Sequence, residues 1–88
     1  MKSQKVLVLN ETGLHARPAS VFVSSAAKFK SDLLIKKGDK QVNAKSVLAV
    51  LSLGISKGTE ITISAQGPDE EEAVNKLAEL IRLELGEK

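Results

Sequence analysis

Residues 60–66 read EITISAQ and are followed by Gly67-Pro68, and this short stretch is the clearest indication of how the chain folds. Apolar and polar side chains alternate along it, which is the pattern of a β-strand with one buried and one exposed face. Gly67-Pro68 ends the strand. Asp69, with Glu72 three residues later, marks the start of a helix with Asp69 as its N-cap. A one-sided strand that runs straight into a helix predicts a sheet covered by helices on one face only.

Apolar residues at helical spacing predict two longer helices. In the C-terminal helix, which Gly86 would close, the predicted buried residues are Ala73, Val74, Leu77, Leu80 and Ile81. In the earlier helix the predicted buried residues are Ala19, Phe22, Val23 and Ala26. Pro18 falls in the first turn of this earlier helix, where its missing N–H has no cost, and the pattern fades near residues 28–30.

The remaining elements are three short strands and a short helix. The strands are predicted at residues 5–9, 33–35 and 40–44. The first of them is apolar enough to have little exposed face, and a hairpin turn at residues 37–40 joins the other two. The short helix at residues 47–51 begins after Ser46 and ends before Gly54. We therefore predict an α+β open-faced β-sandwich, formed by residues 1–88 as a single domain, in which three helices cover one face of a four-stranded antiparallel sheet.

The composition excludes several classes of protein. The chain has 88 residues, of which 42% are hydrophobic and 27% charged, as in a globular domain. It has no cysteine and one histidine, so we expect no disulfide, no cysteine nucleophile and no metal site. No apolar run approaches the roughly 20 residues that span a bilayer, and the N-terminal residues lack a signal-peptide cleavage site. A soluble, cytoplasmic protein without membrane insertion is the prediction.

Positive charge is concentrated in the first half of the chain. Residues 1–45 contain nine Lys or Arg against three Asp or Glu, a net charge of +6, and residues 46–88 contain four against eight, a net charge of −4. A basic surface suits an acidic protein partner or a nucleic acid. Because Phe22 and Phe29 are the only aromatic residues, there is no stacking platform for single strands, and the lysines are scattered. We therefore favour a protein partner and expect no nucleic acid.

The single histidine lies within residues 13–19, GLHARPA, directly before a predicted helix. A lone histidine in an arbitrary sequence is most often an exposed or capping residue. Here the helix start supplies unpaired amides and partial positive charge, and Arg17 can donate hydrogen bonds to phosphate oxygens. Gly13 and Pro18 constrain the backbone on either side. Since a neutral imidazole, with an ordinary pKa of about 6.5, is a nucleophile near neutral pH, His15 is predicted to capture a phosphoryl group.

No motif for nucleotide use accompanies this histidine. The sequence has no phosphate-binding loop, no kinase motif and no carboxylate-rich magnesium site beside it. We therefore predict a chain that carries a phosphoryl group but does not draw one from ATP by itself, and not a self-sufficient enzyme.

Two segments of the chain resemble those of a known family. Residues 13–20, GLHARPAS, are similar to the active-site signature of HPr, the histidine-containing phosphocarrier protein of the phosphoenolpyruvate-dependent sugar phosphotransferase system (PTS). Residues 42–54, VNAKSVLAVLSLG, resemble the family's regulatory serine segment. The similarity extends to Gly58, the strand at residues 60–67 and the helix start at residues 69–72, so it covers essentially the whole chain.

The resemblance implies a path for the phosphoryl group. His15 would accept it on Nδ1 from phosphorylated enzyme I and donate it to the IIA domain of a sugar permease, without a cofactor. The Arg17 side chain and the backbone amides of Ala16 and Arg17 would cradle the phosphate during both transfers. The P–N bond is labile, so the carrier would give up the group readily.

Ser46 has two compatible interpretations. Serine is a preferred N-cap, worth about 1 kcal/mol to a helix, and by itself this predicts a structural role. The resemblance implies that an ATP-dependent HPr kinase/phosphorylase also phosphorylates Ser46, and that the product is a corepressor for a catabolite-control transcription regulator. The added negative charge would oppose an acidic partner beside a surface that docks enzyme I.

The short helix after Ser46 carries the predicted docking residues, Val47, Leu48 and Leu51. These side chains are candidates either for the core or for an exposed apolar patch. Because a short helix rarely buries every residue, we predict that Leu48 faces partners. The chain is expected to act as a monomer.

Two other functions remain open. A regulatory HPr-like paralogue would act in catabolite repression through Ser46 and not in sugar uptake; paralogues without transfer activity typically replace the histidine, and His15 is present. A small basic α+β module that binds nucleic acid would show a steep salt dependence of its affinity.

Overall fold

The computed structural model describes residues 1–8 and 16–85, with side chains for residues 1–8 and 19–82. The elements follow the predicted order. They are β1 (Lys2–Leu7), α1 (Ala16–Ala26), β2 (Asp32–Lys37), β3 (Lys40–Asn43), α2 (Val47–Leu51), β4 (Glu60–Gln66) and α3 (Glu70–Glu79), and a π-helical segment over Leu80–Leu85 continues α3. Within the described part of the chain, no helix is long and apolar enough to cross a membrane.

The strands form one antiparallel sheet in the order β1-β4-β2-β3. β4 is therefore a central strand, paired with β1 on one side and with β2 on the other. Helix α3 packs on β1 and β4, α2 packs near β3, and α1 contacts both other helices. The predicted α+β open-faced sandwich, with three helices on one face of a four-stranded sheet, is confirmed.

The strand register sets which side chains face the helices. Ile61 of β4 lies opposite Val6 of β1. Ile63, two residues later, lies opposite Ile35 of β2. All four side chains are at most 2% exposed, whereas Thr62 between them points to the open face because successive side chains of a strand alternate. A slip of one residue would exchange the apolar and polar faces, so burial holds the register.

The longer helices bury the predicted apolar stripes. The buried residues of α1 are Ala19, Phe22, Val23 and Ala26. Those of α3 and the segment after it are Ala73, Val74, Leu77, Ala78, Leu80 and Ile81. Pro18 lies in the first turn of α1, as predicted. Gly86, which was predicted to close the last helix, lies outside the described residues.

β1 differs from its prediction. It begins at Lys2, earlier than predicted, and it is an edge strand with one face open. Leu7 is 48% exposed on that open face, so the expectation of little exposed surface is wrong. An apolar run suggested burial on both sides, but the helices cover only one side of the sheet, and the side chains that reach the core are Val6 and Val8. The predicted end at Leu9 lies outside the described residues.

Asp69 occupies the predicted N-cap position of α3, but its side chain makes no cap hydrogen bond. The carboxylate instead reaches the turn after α1. Its Oδ2 accepts from the backbone N–H of Lys30 at 2.9 Å, and its Oδ1 accepts from the N–H of Ser31 at 2.9 Å and from the Ser31 hydroxyl at 2.5 Å. Near the helix start, Glu70 Oε1 accepts from the N–H of Gly67 at 3.1 Å. Asp69 therefore ties together two turns that are distant in sequence.

The same two turns touch at Gly67. A β-carbon on this residue would lie 2.7 Å from the Cα of Ser31, and its φ of 154° is one that other residues rarely adopt. Ser31 is 1% exposed, so it has no room to retreat. Gly67 therefore does more than end β4: it allows the close approach that brings Ser31 within reach of Asp69.

Replacement of Asp69 by Asn is expected to lower the stability of the fold in a pH-dependent way. The Ser31 hydroxyl, followed by the Lys30 amide, holds the pKa of the Asp69 carboxyl below its ordinary value of 3.8. A carboxyl with a lowered pKa in the folded state contributes stability that is fully present above the ordinary pKa and is lost as the pH falls through the folded value. The free energies of unfolding of the parent and Asp69→Asn proteins, measured in urea, should therefore differ at pH 7. They should converge as the pH falls below 3.8.

The matched control is Asp32→Asn, which makes the same charge change at an exposed position of β2. It should leave the stability at pH 7 close to that of the parent chain. A constant difference between the parent and Asp69→Asn proteins from pH 7 to pH 2 would contradict the role given to the charge.

Two leucines test the assignment of core and surface. Leu77 of α3 is completely buried, and Leu48 of α2 is 81% exposed. Leu77→Ala should cost about 2–5 kcal/mol of unfolding free energy because it leaves a cavity, whereas Leu48→Ala should change it by less than about 0.5 kcal/mol. Chemical denaturation measures both, and similar losses for the two variants would contradict the packing described.

Candidate functional site

The histidine segment leads directly into α1. Ala16 and Arg17 are the first two residues of this helix. His15, which was predicted to receive the phosphoryl group, lies outside the described residues, and so does the side chain of Arg17. The structure thus gives the helix start that the prediction required and leaves the two reactive side chains as predictions.

The start of α1 has the chemistry of an anion-binding helix end. The amides of its first turn have no partner within the helix, and the helix dipole adds partial positive charge there. The first turn contains no acidic residue that would compete for these amides. A helix start of this kind is a favourable place for a bound phosphate.

Ser46 begins α2 as its N-cap, as predicted. Its backbone is extended, with φ −120° and ψ 118°, and its Oγ accepts a hydrogen bond from the Ala49 N–H at 3.3 Å. Its carbonyl accepts from the Val50 N–H at 3.0 Å, which closes the first turn of the helix. The turn before it is also ordered by a side chain, because Asn43 Oδ1 accepts from the Lys45 N–H at 2.9 Å. Ser46 itself is half-buried at the start of the helix.

The side chains of α2 divide between the core and the surface. Val50 is completely buried, and Val47 and Leu51 pack against the core while remaining partly exposed. Leu48 is 81% exposed, which confirms the predicted exposure of this residue. A large apolar side chain that is exposed to water is suited to contact another protein.

α1 and α2 pack against each other. The structure therefore brings the helix that starts after His15 next to the helix that carries Ser46 and the predicted docking residues. Two lysines that were not predicted as functional residues also hold the ends of the α2 region through hydrogen bonds. Lys45 Nζ donates to the Phe29 carbonyl at 2.8 Å, and Lys37 Nζ donates to the carbonyls of Leu53 and Gly54, each at 3.0 Å.

Among the described residues, the carboxyl groups with a shifted pKa lie at the start of α3 and not in these two helices. Besides Asp69, the pKa of Glu70 is lowered, first by the Gly67 amide and then by the N-terminal ammonium of Met1, which lies 3.2 Å from Glu70 Oε2. Both groups serve the turn between β4 and α3. We assign them to the fold and not to the site.

Comparison with known proteins agrees with the observed fold and with the predicted family. The chain matches the family model described as "PTS HPr component phosphorylation site" over residues 2–82. The architecture is thus the phosphocarrier fold. The chain belongs to the HPr family.

Similar proteins include both HPr and an HPr-like protein. The chain is 51% identical over 85 residues to the HPr-like protein Crh of Bacillus subtilis, covering 97% of this chain and 100% of Crh. A crystal structure of Crh, described as an intertwined dimer with a swapped domain, matches with a TM-score of 0.75 at 51% identity, over 93% of this chain and 94% of that one.

HPr structures match over similar lengths. HPr-C-His from Thermoanaerobacter tengcongensis has a TM-score of 0.95 and 48% identity, over 100% of this chain and 99% of that one. The phosphocarrier protein HPr from Bacillus anthracis has a TM-score of 0.88 and 44% identity, over 91% of this chain and 95% of that one.

The capping role of Ser46 predicts a modest effect of its removal. Ser46→Ala should lower the unfolding free energy by about 1 kcal/mol, because the Ala49 N–H loses its acceptor. Ser46→Asp should restore most of it, since aspartate is also a good N-cap. The control is Ser24→Ala at an exposed position of α1, where no loss is expected. Urea unfolding measures all three, and a loss no greater in Ser46→Ala than in Ser24→Ala would contradict the cap.

Proposed function

We propose that this chain is a phosphocarrier of the PTS. His15 accepts a phosphoryl group from phosphorylated enzyme I and passes it to the IIA domains of sugar permeases, and Ser46 is a regulatory phosphorylation site. The observation that carries the proposal is the position of the single histidine of an HPr-family chain directly before the start of α1. The proposal places this exchange in the cytoplasm.

The chemistry of the first transfer follows from the residues at this helix start. In the proposal, His15 Nδ1 forms a bond to phosphorus while the bond between phosphorus and enzyme I breaks. The phosphate oxygens accept hydrogen bonds from the amides of Ala16 and Arg17 and from the Arg17 guanidinium. These donors stabilise the phosphoryl group most where its negative charge is highest. The second transfer reverses these roles: the P–N bond breaks as the IIA domain takes the group. Binding must therefore be firm enough to orient the phosphate and weak enough to release it.

The proposed regulation acts through α2, the helix that packs against α1. Phosphorylation of Ser46 by an HPr kinase/phosphorylase, with ATP as donor, adds about two negative charges at the start of α2. The helix dipole tolerates charge at this end, so the fold remains intact. The charge lies beside Leu48, on the surface proposed to dock enzyme I, where it repels an acidic partner. The same phosphate is the group that a catabolite-control transcription regulator would recognise.

The likeness to Crh supports one alternative, in which the chain is a regulatory paralogue that acts in catabolite repression through Ser46 alone. The presence of His15 favours the carrier, because a purely regulatory chain has no use for a nucleophile at this position. The carrier is proposed as a monomer, whereas the Crh structure is described as an intertwined dimer. The two assemblies differ twofold in mass, so sedimentation separates them.

The proposal is tested by incubating the chain with enzyme I and phosphoenolpyruvate. One phosphate per chain should appear, labile in acid and stable in alkali, and His15→Ala should abolish it. Arg17→Ala should slow the transfer about 10-fold to 100-fold without changing the unfolding midpoint, because a charge-assisted hydrogen bond contributes about 1.5–3 kcal/mol and each 1.36 kcal/mol is a factor of ten in rate.

A parallel incubation with ATP and the serine kinase supplies the control. His15→Ala should still take up an acid-stable phosphate on Ser46, which shows that the variant is folded, and Ser46→Ala should not. A chain that accepts phosphate on Ser46 but none from enzyme I would support the regulatory alternative and refute the carrier.

A further inference from the structure

In β2, alternate side chains point towards the helices, and the last of them belongs to a lysine. Leu33 and Ile35 point towards the helices, where they are 2% and 0% exposed. Lys37, the next residue with the same orientation, is the last residue of the strand and is half-buried. A lysine that points towards the helix layer needs an acceptor for its ammonium group, since a buried charge without a partner is costly. Lys36, its neighbour, points the other way and is exposed.

The acceptors lie just beyond the end of α2. Lys37 Nζ donates to the carbonyl oxygens of Leu53 and Gly54, both at 3.0 Å. These carbonyls belong to the turn that leaves the helix, in which the Gly54 N–H donates to the Leu51 carbonyl at 3.1 Å. Gly54 has a φ of 63°, as is common where a helix ends. A cation at the C-terminal end of a helix is also favoured by the helix dipole.

Helix α2 depends on such outside contacts because it is short. It has five residues, and a helix of this length is not stable by itself in water. Ser46 fixes its start, and buried Val50 fixes one side. Lys37 is the side chain that joins the turn after the helix to the sheet through charged hydrogen bonds. Leu48, which is 81% exposed, contributes little to holding the helix in place.

We infer that Lys37 is a positioning residue for partner recognition by α2. Its ammonium group holds the end of the helix so that Ser46 and Leu48 are presented in one orientation. This inference rests on the proposed function, in which α2 docks enzyme I. A surface that must be ordered on binding has a weaker affinity than one already ordered, so loss of the ammonium should weaken docking. It should leave the chemical step unchanged, because Lys37 is not part of the histidine segment.

The test compares Lys37→Met with Lys36→Met. Both variants lose one positive charge from adjacent positions of β2, so their effects on long-range attraction to an acidic partner are matched. In phosphate transfer from enzyme I, Lys37→Met should raise KM about 3-fold to 10-fold with kcat within twofold of the parent chain. Lys36→Met should leave both within twofold. Lys37→Arg, which keeps a charged donor, should recover most of the loss in KM.

A second measurement is independent of transfer. Hydrogen exchange of the Leu53 and Gly54 amides, which donate to α2 carbonyls, should be at least 5-fold faster in Lys37→Met than in Lys36→Met. Equal exchange in the two variants, or equal KM values, would overturn the inference, as would a fall in kcat with KM unchanged. If the parent chain takes no phosphate from enzyme I, the proposed function fails, and exchange alone decides whether Lys37 orders α2.

Discussion

The structure depends on a sheet that is apolar on one face and polar on the other. β4 is a central strand, and its buried Ile61 and Ile63 must lie beside apolar residues of both neighbouring strands. A register shifted by one residue is excluded, because it would place these side chains in water. Helices must then cover the apolar face, since leaving it exposed would forfeit the main driving force of folding. The positions of α1, α2 and α3 follow from this requirement.

The contacts that stabilise the fold and the residue proposed to carry phosphate belong to segments at opposite ends of α1. The turn after α1 carries Ser31, which Asp69 holds through two hydrogen bonds. The segment before α1 carries His15, the proposed phosphate acceptor. An 11-residue helix is about 16 Å long, so the two ends of α1 are well separated. The contacts that Asp69 makes with Ser31 therefore lie at the end of α1 and not at its start.

Helix α2 is held in the fold differently from α1 and α3. It is too short to persist alone, and its buried surface is small compared with that of α1 and α3. Its orientation comes from the Ser46 cap at one end, from the packing of Val47, Val50 and Leu51 on the core, and from Lys37 at the other end. A helix held in this way is sensitive to change at its ends. A phosphate on Ser46 would act at one of these points, and the proposed link between modification and docking needs no wider change of fold.

Much of this follows from the sequence because the causes are local. Alternation predicted β4 as a one-sided strand, helical spacing predicted the buried stripes of α1 and α3, and Ser46 before an apolar run predicted the cap. The histidine segment likewise predicted its own helix start. Residue pattern by itself was misleading for β1, where Leu7 is apolar but exposed, since burial on a second face depends on what lies above it.

Tertiary structure alone decided the partners of Asp69 and Lys37. Asp69 was expected to cap its own helix, but it accepts hydrogen bonds from residues 38 and 39 positions away in the chain. Lys37 reaches carbonyls 16 and 17 positions away. Local spacing determines which residues form a strand or helix and which side they bury. Which polar group meets which depends on how those elements pack, because hydrogen bonds require an approach of about 3 Å that only the assembled fold provides.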